Sequence, residues 1–187
     1  MTKERYIAFV DALIAIIATI MVLDLPRPKG TNLKDFMNLG LPFFAYFISF
    51  FMIWAVWHNH HRLFKEVKII TARTCWYTGA WVFIMSLFPW GTAIVARQPM
   101  AVLPELLYLI IIFVWAVLFS LLEREVKKEN PHLETVEITY GKMTRRLVFC
   151  MELLGFLVVW FIPIYVLLMG ILFIIVELIM QLRSNLA

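Results

Sequence analysis

Apolar positions in this chain come in long runs separated by short polar breaks. Six runs suit helices crossing a bilayer, at about 6–25, 41–61, 74–96, 103–122, 146–161 and 163–182. Each approaches the roughly 20 residues that a hydrocarbon core demands. Strands of a membrane barrel would alternate apolar and polar positions, and these runs do not. The last two runs part at Phe161-Ile162-Pro163, because proline lacks an amide proton and strains the turn before it. The alternative is one long, kinked helix and five spans.

The breaks are brief. DLPRPKGTN after the first run reads as a rigid polar turn, and LKDFMNLG at 33–40 as a segment along the interface ahead of Leu41-Pro42. ARQPMAVLP forms another short connection. Residues 123–145 are the one sizeable polar segment, broken at Asn130-Pro131 and carrying a solvated His132.

Composition agrees with the pattern. The 187 residues are 63% hydrophobic with a mean hydropathy of +0.85, against about 45–50% apolar in soluble domains. The expectation is an all-α integral membrane protein, residues 1–187 forming one six-helix transmembrane domain with no room for a soluble catalytic unit. Six spans put both termini on one side. That side would hold Lys3, Arg5, Arg62, Lys65, Lys68, Arg73, Arg124, Lys127, Lys128, Lys142, Arg145, Arg146 and Arg183, and the other Arg27, Lys29, Lys34 and Arg97. Thirteen basic residues against 4 make both termini cytoplasmic by the positive-inside rule. The same asymmetry, with contact to anionic lipid, accounts for the net charge of +4 without nucleic acid. The first run is too long for a signal-peptide core, and no small-residue cleavage site follows Leu25. Cys75 and Cys150 fall near cytoplasmic span ends, where thiols stay reduced; two cysteines make no metal framework.

Ionisable groups at bilayer depth are costly and point to function. Asp11, the histidines, Glu152 and Glu177 are the candidates. Both glutamates lie near span ends, where a carboxylate can reach the headgroups or pair with arginine. On a helix of 100° per residue, Phe9, Ala12, Ile16, Thr19, Ile20 and Leu23 share one face, and Ala8, Asp11, Ala15, Ala18 and Val22 another. Small residues let membrane helices approach, so Asp11 is expected to point into protein packing and Thr19 elsewhere. In FMIWAVWHNHHRLF, Trp54, Trp57, His58 and His61 share a face and His60 sits on its neighbour. The histidines lack acidic or cysteine co-ligands nearby, so no metal is expected. A donor from one of them to Asp11 is the better reading, since a buried carboxylate wants one.

Arg5, Phe9-Val10-Asp11-Ala12, Ala15-Ile16, Thr19 and Leu23-Asp24-Leu25, then Trp57 with His60-His61-Arg62-Leu63-Phe64, then Leu87-Phe88-Pro89-Trp90 with Thr92, resemble in order three motifs of the transmembrane protein 175 family of potassium channels. Val10 stands where that signature has serine, and Trp90 where it has phenylalanine. The resemblance implies a homotetramer in a prokaryotic cell membrane, its potassium pore on the oligomer axis and lined by the first helix. Ile16, Ile20 and Leu23 would then line and gate it, and Thr19 would aid selectivity. Arg5, Asp11, Trp57, His60 and His61 would form a structural polar network behind that helix, with no cofactor. Apolar rings can close by dewetting. Alternatives are a proton-conducting channel using Asp11 and the histidines and, further off, a secondary transporter, for which no paired broken helices appear. Nothing resembles an enzyme's nucleophile or metal triad.

Overall fold

The computed structural model describes residues 2–133 and 142–184, with side chains through residue 133 and from 145 to 182. Residues 134–141 of the long polar segment, and the side chains of Lys142 and Arg183 in the charge count, lie outside the described residues. All regular structure among the described residues is helical. Helix α1 (Lys3–Ile20) continues into a 3₁₀ turn, Met21–Asp24. A short α2 (Leu33–Met37) precedes α3 (Gly40–Lys65), with Leu33, Phe36 and Met37 exposed as an interfacial segment would have them. Helices α4 (Ala72–Met85), α5 (Phe88–Arg97), α6 (Val102–Glu129), α7 (Lys142–Val158) and α8 (Tyr165–Ser184) follow, with a 3₁₀ turn at Pro131–Leu133.

Among the described residues, five stretches are long and apolar enough to cross a membrane: Lys3–Asp24, Leu33–Lys65, Ala72–Arg97, Val102–Glu129 and Tyr165–Leu182. Helix α7, at 17 residues, is shorter. The stretch 74–96 is bent, which the run of apolar residues alone did not foretell. Pro89 has no amide proton to continue the ladder of α4, so the chain turns at Ser86-Leu87, where the Ser86 hydroxyl donates to the Phe83 carbonyl (2.7 Å).

The division at Pro163 is real. Tyr165 Oη donates to the Met151 carbonyl at 2.9 Å, and the Tyr165 ring lies 2.7 Å from where a Cβ on Gly155 would stand. On one continuous helix, residues 151 and 165 would be about 21 Å apart, so α8 folds back along α7.

Helix α6 is central, touching α4, α5, α7 and α8, while α3 packs on α5, α8 and α1. Glycine permits two of these approaches. A Cβ on Gly170 would meet Ile48 at 2.5 Å, and one on Gly91 would meet the Tyr108 ring at 2.6 Å. Both partners are buried and have little freedom to yield. Gly91→Ala should therefore destabilise the bundle by about 1–3 kcal/mol. Thermal unfolding of the purified protein would reveal this, and an unchanged melting temperature would mean that Tyr108 swings aside freely. Beside Gly91, a buried hydroxyl cluster ties α3, α5 and α6 together: Ser49 and Tyr108 are hydrogen-bonded at 2.6 Å, and Thr92 donates to Ser49 at 2.8 Å. Thr92 is the threonine of the LFPWGT element, and this contact is its role in the fold.

The basic ends of the helices gather at one end of the bundle. Lys3 Nζ donates to the Lys65 carbonyl (2.8 Å), joining the start of α1 to the end of α3. Asn130, at the end of α6, clamps the connector after α3. Its Oδ1 accepts from the Lys68 and Ile69 amides (3.0 and 2.9 Å), and its Nδ2 donates to the Ile69 and Val126 carbonyls, both at 3.0 Å. His132 is exposed and hydrogen-bonded to the Glu66 carbonyl (3.0 Å). Thr71 and Thr74 at the start of α4 donate to Glu129. Arg145, near the start of α7, reaches Glu123 at 3.2 Å.

Candidate functional site

Helix α1 lies against α3, α4 and α5 at the side of the bundle. Tyr6, Val10, Ile14, Ile17 and Met21 form its buried stripe, at the spacing that keeps side chains on one face. Tyr6 hydrogen-bonds Thr78 of α4 and leans on Phe64, ring centroids 5.5 Å apart. Val10 belongs to this stripe. At 3% exposure it is packed among apolar side chains, where a hydroxyl would have needed a partner of its own.

Turned away from that stripe, Ile16, Thr19, Ile20 and Leu23 are all exposed, Leu23 at 78%. The Thr19 hydroxyl donates to the Ala15 carbonyl at 2.8 Å, with the Ile16 carbonyl at 3.1 Å. Its proton is held within the helix, as mid-helix threonines often arrange. What an exposed Thr19 then offers outward is an oxygen lone pair, an acceptor and no donor.

Of the five residues expected to form a polar network, the structure joins three. Trp57 Nε1 donates to Asp11 Oδ1 at 3.0 Å, and the Trp57 ring lies against His61, 5.8 Å between centroids. The indole therefore supplies the donor that imidazole was expected to supply. Arg5 is exposed, and among the described residues no ion pair links it to Asp11. His60 faces the other way. It is fully buried, stacked on Trp81 (5.3 Å, 13° between planes) and close to Phe64 (4.4 Å), and neither ring nitrogen has a hydrogen-bond partner among the described residues. Trp81 stacks in turn on Trp115, so His60 heads an aromatic column in the core.

The small-residue face of α1 is also not closed by packing. Asp11, Ala15, Ala18 and also Thr19 line an open groove of about 330 Å³ against Phe50, Ile53, Trp54 and Trp57 of α3, so the two polar side chains expected on separate faces border one groove. A second groove, about 490 Å³, runs on the other flank between Ile16, Ile20 and Asp24 and Trp90 and Arg97 of α5. Helix α1 thus has an open channel along each side.

Glu152 and Glu177 do not reach outward. They are 4% and 3% exposed, because each projects into the interior from α7 and α8. Glu177 accepts from Asn59 Nδ2 at 2.6 Å, with Arg62 near enough to act on its charge. Glu105 was missed. It is wholly buried near the start of α6, where its carboxylate faces the Val166 backbone at the start of α8. The signal for it was a lone carboxylate in VLPELLY, just inside a span. The described residues hold no group of three or more His, Cys, Asp or Glu that could take a metal ion.

A family model described as the endosomal/lysosomal potassium channel TMEM175 matches residues 5–89, from α1 to the bend at Pro89. A potassium channel of Chryseobacterium sp. (strain P1-3) is 31% identical over 164 residues, 87% of this chain and 85% of that one. This chain belongs to the TMEM175 family. TMEM175 proteins are ion channels, not enzymes, so the helices described above are those of a multi-pass membrane channel. The endosomal/lysosomal proton channel TMEM175 of Rattus norvegicus is 37% identical over 83 residues, 38% of this chain and 17% of that longer one. The fold is shared with a solved structure, titled as a lysosomal potassium-selective channel TMEM175 homolog from Chamaesiphon minutus. The TM-score is 0.77 at 22% identity, covering 94% of this chain and 97% of that one.

Proposed function

We propose that this TMEM175 member is a potassium-selective channel of a cell membrane. It assembles as a homotetramer that conducts along an axis lined by the exposed face of α1. The observation that carries this reading is the composition of that face. An aliphatic face can meet lipid as readily as water, and what sets this one apart is a single hydroxyl, Thr19, among exposed aliphatic side chains. Four Thr19 oxygens around an axis would give a dehydrating cation neutral ligands, and potassium sheds water more cheaply than sodium. Four copies each of Ile16, Ile20 and Leu23 would form apolar rings above and below, able to close by dewetting. Its two open flanks leave α1 free to pack beside other copies of itself. The gathering of basic helix ends at the end holding Lys3 supports cytoplasmic termini.

The test is Thr19→Val, which keeps shape and removes the oxygen. In reconstituted liposomes the potassium-over-sodium permeability ratio should fall about fivefold, the equivalent of about 1 kcal/mol for one lost polar interaction. An unchanged ratio would remove Thr19 from selectivity.

Proton conduction is the second reading, favoured by the name of the Rattus norvegicus relative. Passage through Asp11 and the second-helix histidines has less support, since Asp11 bonds Trp57 while His60 is stacked in the core. Comparing potassium, sodium and proton gradients across the same liposomes separates the two readings. Proton flux lost in Asp11→Asn with potassium flux intact would favour the second.

A further inference from the structure

Away from α1, a cavity of about 90 Å³ lies among α3, α6, α7 and α8 within one subunit. That is several times the roughly 10–15 Å³ a single water needs. Its walls are mostly apolar and aromatic, among them Met52, Trp115, Phe119, Phe149, Leu172 and Phe173. Among the described residues the polar groups on it are Ser120, Glu123, Arg145 and Glu152. Ser120 donates its proton to the Ala116 carbonyl at 3.0 Å. Glu123 is held by Lys127 at 2.7 Å and Arg145 at 3.2 Å, so those three charges answer one another. Glu152 is left. It is 4% exposed, and its Oε2 has no hydrogen-bond partner among the described residues. Tyr165 is near enough to sense its charge but commits its hydroxyl to the Met151 carbonyl.

A buried carboxylate facing an apolar cavity calls for a donor from whatever enters. Calcium and magnesium take six or more oxygens and zinc about four ligands from Cys, His or carboxylates, and the described walls supply neither set. An anion would meet Glu152 and find Arg145 and Lys127 engaged. Water alone needs two to four polar partners, more than this lining has free. We propose that the cavity binds a small lipophilic amine in its ammonium form, the N–H donating to Glu152 Oε2 and the apolar body lying against the aromatic walls. Carboxylate and ammonium then enter the interior as a neutral pair, and the rings of Trp115 and Phe119 add attraction for the cation.

The probe is isopropylamine, small enough for a cavity of about 90 Å³, titrated onto the full-length protein in liposomes and followed by tryptophan emission. Trp115 lines the cavity, and Trp115→Phe separates its signal from that of the other six tryptophans. A saturable change with the amine is expected, but not with isopropanol or isobutyrate. Affinity should fall at least tenfold in Glu152→Gln. The ligand comparison uses the wild-type protein and so holds even should the variant fold poorly. Equal saturation by the alcohol, tighter binding of the isobutyrate, a change that only tracks membrane partition, or full affinity in Glu152→Gln would each overturn the proposal. This outcome is independent of the Thr19 result, since the two sites share no residue.

Discussion

Ile16→Asn should raise the resting potassium flux of reconstituted protein about tenfold or more. Ile16 is 53% exposed on the face that carries Thr19, so its side chain is not needed for packing within the subunit. Four isoleucines facing one axis would exclude water by their apolar surface, at about 0.8 kcal/mol for each CH₂ withheld from it. Exchanging them for amides lets water persist between the rings. A barrier lowered by only about 1.4 kcal/mol already gives tenfold in rate. Flux equal to wild type, with assembly intact by size-exclusion chromatography, would place the constriction elsewhere. Because the substituted positions are exposed in the isolated subunit, the thermal stability of the fold should hardly change. A large drop in stability would mean that Ile16 is buried between subunits instead of facing water.

Asn130→Ala carries the largest expected cost in stability. The side chain is 1% exposed and makes four hydrogen bonds, three of them to the connector between α3 and α4. Each buried donor or acceptor left unanswered costs about 1–3 kcal/mol, and water can relieve part of this at a half-exposed connector. A net loss of about 2–4 kcal/mol is expected, read from denaturant unfolding in bicelles. Asn130→Asp keeps the acceptor for Lys68 and Ile69 and loses the donor, so it should fall between wild type and alanine. Equal stability of all three proteins would show that the connector holds itself.

The helical plan was legible because a bilayer imposes one rule, a length of apolar residues, and the runs obey it. The reversal at Phe161-Ile162-Pro163 could be read for the same local reason, the missing amide of Pro163. The bend at Ser86-Leu87 follows from Pro89 by the same logic, but a run that stays apolar on both sides of a bend hides it. On α1 the exposed face could be read from spacing, since Thr19 and Asp11 stand out against aliphatic neighbours. Helices α6 and α8 offer no such contrast. Being apolar all round, they give periodicity nothing to register, and so the inward aim of Glu105 and Glu177 had no mark in the sequence. The partner of Asp11 was ambiguous for another reason. Trp57, His58, His60 and His61 all present N–H donors within two turns, and only the rotation of α3 chooses among them.

The Thr19 hydroxyl holds a final consequence. Proton hopping along hydrogen-bonded chains requires every member to receive a proton on one side and release one on the other. With its hydrogen fixed on the Ala15 carbonyl, Thr19 can receive but has nothing loose to release. At that level of the helix, any hydronium charge would have to travel on a continuous thread of solvent, and whatever breaks the thread would halt it there.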